Sequence, residues 1–303
     1  MIKTRKLIGV IPVLTTPIHH DGRIDRENLI GLVNFLANQD IGGFWVLGTG
    51  SEDMNLSFEK RVEVARIACE ANAGRKPLIL GSGFFALEDI LAFMEETRDL
   101  QADSYHVMPY HPLLSIDRLF WFYNHIAGRS PKPLWMYTSA NWAPPVIPDL
   151  IAKLKPHENI AGIKFSTRDT LDMYKVLNLA AEDFQVITAV ATQFLACLRM
   201  GSKAHTSSLG SVIPEALIKI HAYFVEGRHE EATAAQENLN RFLGKIPKGL
   251  HKDNFLGAAQ EKYMLSLRGL ANEYTTSYYR DVNEEEKKYI KQALKEHNII
   301  PGL

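Results

Sequence analysis

Short apolar runs alternate with longer amphipathic segments through two-thirds of the chain, and this alternation constrains the fold more than any other feature. The runs lie at residues 7–13, 43–47, 78–81, 104–107, 134–137, 160–163, 184–189 and 204–208. Each is too short for a helix, is rich in Val, Ile and aromatic residues, and is bounded by Gly, Pro or Ser. A strand buried on both faces reads this way. Helical patterns lie between the runs. Asp25 can cap a helix whose apolar face is Leu29, Leu32, Val33 and Leu36, and Ser57 can cap another carrying Val62, Val64, Ala65, Ile67 and Ala68. Residues 88–100 repeat the pattern with Ile90, Leu91, Phe93 and Met94.

Strand-like runs that are each followed by a helix predict a (β/α)8 TIM barrel of the α/β class. An open doubly wound sheet that binds a dinucleotide would carry a glycine-rich fingerprint after its first strand, and none is present. From Pro214 onward the texture changes to helical patterns without strands, at residues 215–226, 229–243, 254–267 and 283–297. The expected division is a barrel over residues 1–213 and C-terminal helices over 214–303, including the last barrel helix, packed on the barrel and available for oligomer contacts.

Charge and cysteine content exclude several classes of partner. The formal net charge of −1, with no arginine-rich run or basic stripe, argues against nucleic acid. Cys69 and Cys197 sit inside apolar helical patterns with no partner at metal-ligand spacing, so they read as buried thiols of a reducing compartment. No pair of histidines has HxxxH or HxH spacing, and no metal site is expected. The basic N-terminus followed by an apolar run superficially resembles a signal peptide. Pro12 interrupts that run and no small-residue cleavage site follows, so the segment reads as a first buried strand. No apolar run approaches the roughly 20 residues needed to span a bilayer. A soluble, cytoplasmic protein is expected, with no membrane partner.

In such barrels the chemistry sits at the C-terminal ends of the strands. The second run ends in Gly48-Thr49-Gly50-Ser51-Glu52, where backbone amides beside hydroxyl residues can cradle a carboxylate or phosphate; as a bare pattern it is also an ordinary turn. The fourth ends in Pro109-Tyr110-His111, the fifth in Tyr137 and the sixth in Gly162-Ile163-Lys164. A lysine at such a lip, partly desolvated, has a lowered pKa and a nucleophilic amine that can condense with a ketone; the alternative is a solvated edge residue. A carboxylate cradle, a phenol and a lysine at one barrel mouth form a combination that no single motif makes.

With these motifs in this order, the chain resembles the N-acetylneuraminate lyase and dihydrodipicolinate synthase family of class I Schiff-base aldolases. Gly48-Thr49-Gly50-Ser51-Glu52 matches that family's Gly-[Ser/Thr]-Thr-Gly-Glu motif imperfectly at Gly50 and Ser51. Pro109-Tyr110-His111 stands for Pro-Tyr-Tyr, and Gly162-Ile163-Lys164 for Gly-[Ile/Val]-Lys. Tyr137 is all that is kept of Tyr-Asn-x-Pro. The segment from Gly201 to Ser207, with Thr206, follows the family's eighth strand.

The resemblance implies a metal-independent, cofactor-free lyase in which Lys164 forms a covalent imine with a 2-keto acid such as pyruvate and the enamine reacts with an aldehyde. It implies catalytic roles for Lys164, Tyr137, Thr49 and His111, and substrate contacts from Gly48, Gly50, Ser51, Thr206 and Trp142. An imidazole at position 111 can still pass protons where many members have a second tyrosine; alternatively His111 packs at a subunit interface. Trp142 stands where dihydrodipicolinate synthases place a carboxylate-gripping arginine, and residues 189–192 carry no acid where sialate lyases have an acidic pair. Both of those activities are therefore disfavoured. Trp142, Phe84, Phe85 and Met136 are candidates for the distal mouth, with core or interface as the alternative. The same imine would also serve a 2-keto-3-deoxy sugar acid dehydratase, and a barrel that has lost catalysis and binds a keto acid as regulator is the reading from another class. The family's habit implies a homotetramer or homodimer.

Overall fold

The computed structural model describes residues 4–138, 143–253, 257–300 and 302. Eight strands appear where the apolar runs predict them: β1 Gly9–Pro12, β2 Phe44–Val46, β3 Leu78–Gly81, β4 Ser104–Val107, β5 Leu134–Tyr137, β6 Ile160–Phe165, β7 Gln185–Thr188 and β8 Ala204–Ser207. They pair in parallel in the order β1-β8-β7-β6-β5-β4-β3-β2. The seam between β1 and β2 is drawn together by the Gly42 amide on the Val10 carbonyl and the Leu14 amide on the Trp45 carbonyl, both at 2.9 Å. The result is a nearly closed (β/α)8 barrel with a C-terminal helical region.

Strand alternation sorts the residues into two cores. Outward-facing side chains such as Val46, Leu80, Val107, Met136, Ile163 and Phe165 pack under the helices. Inward-facing ones, including Ile11, Trp45, Ile79, Met108, Tyr110, Trp135, Tyr137 and Ile187, fill the barrel. Small residues make that filling feasible. At Gly162 an added Cβ would lie 2.2 Å from the Gln185 carbonyl oxygen and 2.7 Å from the Trp135 ring, so glycine lets β6 pass between them.

Helix starts follow the expected caps. Asp25 accepts from the Asn28 amide ahead of Arg26–Ala37, and Ser57 accepts from the Lys60 amide ahead of Phe58–Asn72. Cys69 and Cys197 are free, buried thiols. In the C-terminal region, Pro214–Val225 packs behind β1, and Ala258–Leu267 is buried along most of its length. Asn283 and Glu286 form a capping box on the last helix, Glu284–Glu296. Lys248–Asp253 is a short helix that the sequence pattern does not anticipate. Among the described residues no helix is long and apolar enough to cross a membrane.

Candidate active site

Backbone conformation marks one end of the barrel. Leu47 (φ 55°) and Glu52 (φ 59°) follow β2, and Val190 (φ 77°) follows β7. Left-handed backbone is costly for non-glycine residues, above all a β-branched one, and persists only where the surroundings impose it. Ala73 and Asn298, the remaining cases among the described non-glycine residues, lie at helix C-termini.

Lys164 and Tyr137 meet at this end because their strands are in register. Tyr137 on β5 is the lateral partner of Lys164 on β6, and the amine sits 4.0 Å from the centroid of the phenol ring. The Tyr137 hydroxyl lies 2.8 Å from Thr49 Oγ1, which the turn Thr49–Ser51 holds at the end of β2. Both partners are buried. Thus the structure brings Lys164, Tyr137 and Thr49 together from three strands. Lys164 is 7% exposed, and burial alone pulls its pKa down to about 7. His106 and His205 are buried nearby and held down to about 3, chiefly by desolvation, with the positive charge of Lys164 adding to it. No carboxylate offsets the lysine, so a large share of it is neutral at pH 7. Burial raises Tyr137 well above the ordinary phenol range, which keeps its proton in place.

The loop after β2 is built for close approach. A Cβ on Gly50 would lie 2.8 Å from the Ser208 side chain, so glycine lets the turn meet the segment after β8. The short helical turn leaves the amides of Thr49 and Gly50 without partners inside it. Ser51 departs from its expected substrate contact. Its amide donates to the Gly48 carbonyl at 2.7 Å and its hydroxyl to the Leu14 carbonyl at 2.5 Å, so both donors serve to hold the turn. Thr206 is buried and faces the same end from β8, and its Oγ1 has no partner among the described residues.

His111 lies apart from Thr49 and Tyr137 of its own chain, a position open to the subunit-interface reading as well as to the relay. β4 turns His106 and Met108 inward, and Tyr110 continues that alternation, so His111 falls one step out of phase. It lies on the rim with its ring 5.0 Å from that of exposed Phe85, and Nδ1 accepts from the Leu113 amide at 3.3 Å. It makes no hydrogen bond to Thr49 or Tyr137. Phe84 packs with Phe58 and Phe93 and Met136 lies beneath the helices, so neither lines the mouth. Trp142 lies outside the described residues.

Further groups come from places the motifs do not mark. Glu52 accepts from the amide and hydroxyl of Thr276, each at 2.9 Å, and its carboxylate is ion-paired with Lys262, a fully buried residue of the helix Ala258–Leu267. Beside it Glu261 accepts from the Ser208 hydroxyl at 2.7 Å, and burial, reinforced by the charge of Glu52, pushes its carboxyl up to about 8. The sequence signals available for these residues were a pair of charges inside an otherwise apolar helical pattern. A cavity of about 750 Å³ also opens at the opposite end of the barrel, among Lys6, Lys155, His157 and Glu182, away from this chemistry.

Comparison with known proteins agrees with this architecture. The model described as the dihydrodipicolinate synthetase family matches residues 6–297. A curated 4-hydroxy-tetrahydrodipicolinate synthase from Persephonella marina is 25% identical over 296 residues, covering 96% of this chain and 99% of that protein. Among solved structures, YagE, a prophage protein of the dihydrodipicolinic acid synthase family from E. coli K12 in complex with pyruvate, superposes with a TM-score of 0.89. That match has 21% identity and covers 97% of this chain and 99% of YagE. N-acetylneuraminate lyase from Mycoplasma synoviae gives a TM-score of 0.85 at 23% identity, over 96% of this chain and 98% of the lyase.

Proposed function

The chain belongs to the dihydrodipicolinate synthetase family, whose members are lyases and synthases of the class I aldolase type, and on that premise we propose that Lys164 condenses with the keto group of pyruvate or a longer 2-keto acid. The observation that carries this reading is a buried amine with no carboxylate partner, seated on the ring of a phenol that is itself hydrogen-bonded to Thr49.

The amine adds to the keto carbon and water leaves, giving an imine. Once protonated, the imine draws electrons from the neighbouring carbon–carbon or carbon–hydrogen bond, and an enamine results. In the addition direction Tyr137 gives its proton to the new alkoxide and is left as the phenolate; the cleavage direction is the reverse, the phenolate taking the proton from the hydroxyl whose oxygen becomes the aldehyde. Thr49 orients the phenol through its hydroxyl and its amide, while the amide of Gly50 and the hydroxyl of Thr206 receive the substrate carboxylate. No metal or organic cofactor is assigned to these steps. The partner aldehyde is left to assay, with 4-hydroxy-tetrahydrodipicolinate synthase activity among those to be measured because curated relatives carry that name. Exposed Phe85, Leu113, Phe120 and Trp121 near His111 support assembly as a homodimer or homotetramer, which sedimentation velocity would test.

Borohydride reduction in the presence of pyruvate tests the central step. A mass adduct on the peptide carrying Lys164 is expected. No adduct, or one on a different lysine, would sink the reading, as would full activity in Lys164→Ala.

A further inference from the structure

The inward alternation of β4 delivers Tyr110 to the barrel wall, and its hydroxyl lies 2.8 and 3.1 Å from the two carboxylate oxygens of Asp53. Asp53 begins the second short helical turn after β2, directly beyond Glu52. The site is closed to solvent, with Asp53 1%, Arg61 5% and Tyr110 8% exposed. Arg61 comes within 3.8 Å of the Asp53 carboxylate, donates to the Leu56 and Gly83 carbonyls, and lies 4.0 Å over the ring of Phe84. Tyr110 shares the interior cluster with Tyr137 and Met108. A buried carboxylate, a phenol and a guanidinium therefore meet beyond the end of β4, the phenol in the same interior cluster as Tyr137.

We propose that Asp53, acting through Tyr110, is a positioning residue for the proton transfer of Tyr137. The inference rests on the reading of Lys164 and Tyr137 given above. Its physical basis is that Asp53 ties down Tyr110, a phenol of the interior cluster that holds Tyr137, and places a negative charge close enough to act on both phenols. That charge opposes ionisation of Tyr110 and of Tyr137, adding to the larger effect of burial. Burial also lifts Asp53 above the ordinary carboxylate range, against the pull of Arg61 and the Tyr110 hydrogen bond. The titratable groups that share an electrostatic interaction with Asp53 are Arg61 from the helix Phe58–Asn72, Tyr110 from the end of β4, Tyr137 from β5 and Tyr279 from the segment before the last helix.

The test compares pH profiles of kcat for Asp53→Asn, Tyr110→Phe and His111→Ala, alongside borohydride trapping of pyruvate in each. With Asn at position 53, Tyr137 gives up its proton more readily, so the alkaline limb should move to lower pH and kcat should fall by about 10- to 100-fold, no more than the 10²–10⁴ expected for removing a proton donor itself. Trapping at Lys164 should persist and KM for pyruvate should change little. Tyr110→Phe removes a single oxygen and keeps the ring, so it serves if Asp53→Asn does not fold, and it too should lower kcat with trapping intact. Unmoved profiles in both variants, or a shift confined to His111→Ala, would overturn the inference while leaving the imine chemistry standing. Absence of trapping in the unmodified protein would remove the Lys164 reading and this inference with it.

Discussion

Lys164 and Lys262 are both buried lysines within reach of the loop after β2, yet they have opposite surroundings. Lys262 is fully enclosed and ion-paired with Glu52, which pushes its pKa back up against the effect of burial, although the balance still lies below the ordinary lysine range. Lys164 lies over a phenol ring with no anion among the described residues paired to it, and only burial acts on it. One is a structural cation that holds Glu52 in a left-handed turn, and the other is a destabilised amine to which we assign addition to a carbonyl. The difference teaches that burial alone does not mark a reactive lysine; burial without an anion does.

The comparison can be broken most directly at the reactive end. Lys164→Met should reduce turnover by about 10⁴-fold or more, the scale seen when an essential nucleophile is removed, whereas Lys262→Met should leave borohydride trapping at Lys164 in place. On stability the order reverses. Lys262→Met leaves Glu52 buried without its cation and should cost about 3–5 kcal/mol in urea unfolding, with part recovered on adding Glu52→Gln.

Lys164→Met should instead stabilise the fold, with a pH dependence whose sign is fixed. The lysine ionises at its ordinary 10.5 in the unfolded chain and at about 7 in the folded one. Below pH 7 it is charged in both states and the fold bears the whole desolvation penalty. Between the two values that penalty fades, and above 10.5 it is gone. The gain from Lys164→Met should therefore reach up to about 5 kcal/mol at pH 6 and vanish near pH 11. A gain that is flat with pH would mean the amine is solvated. The smallest expected effect is that of Thr49→Val, which removes one hydrogen bond from Tyr137 and should lower kcat about fivefold, or about 1 kcal/mol, without altering stability of the Glu52 pair.

Much of this site was legible in the sequence because its parts lie at strand ends, and strand ends announce themselves by the switch from apolar run to polar turn. Lys164, Tyr137 and Thr49 come from three such ends, and barrel closure makes them neighbours. Phase was harder to read than position. Pro109-Tyr110-His111 offers two consecutive polar rings, and the motif match favours His111, but alternation along β4 sends Tyr110 inward. Ser51 sits in the right turn, yet its donors are used by Gly48 and Leu14. Asp53, Glu261 and Lys262 were out of reach for a different reason. Their meaning comes from partners distant in the chain, and no local periodicity records a contact between Glu52 and Lys262.

Chain order gives the Glu52 anchor one more consequence. Glu52 and its turn are synthesised before Lys262 and Thr276, which fix its conformation from more than 200 residues further along the chain. A nascent barrel with all its strands present would still have an unpinned rim, and the final shape of that rim is set only when the C-terminal helices dock. Docking of those helices therefore completes the mouth after the strands that frame it, and a chain lacking them would lose the anchor of the very loop that faces Tyr137.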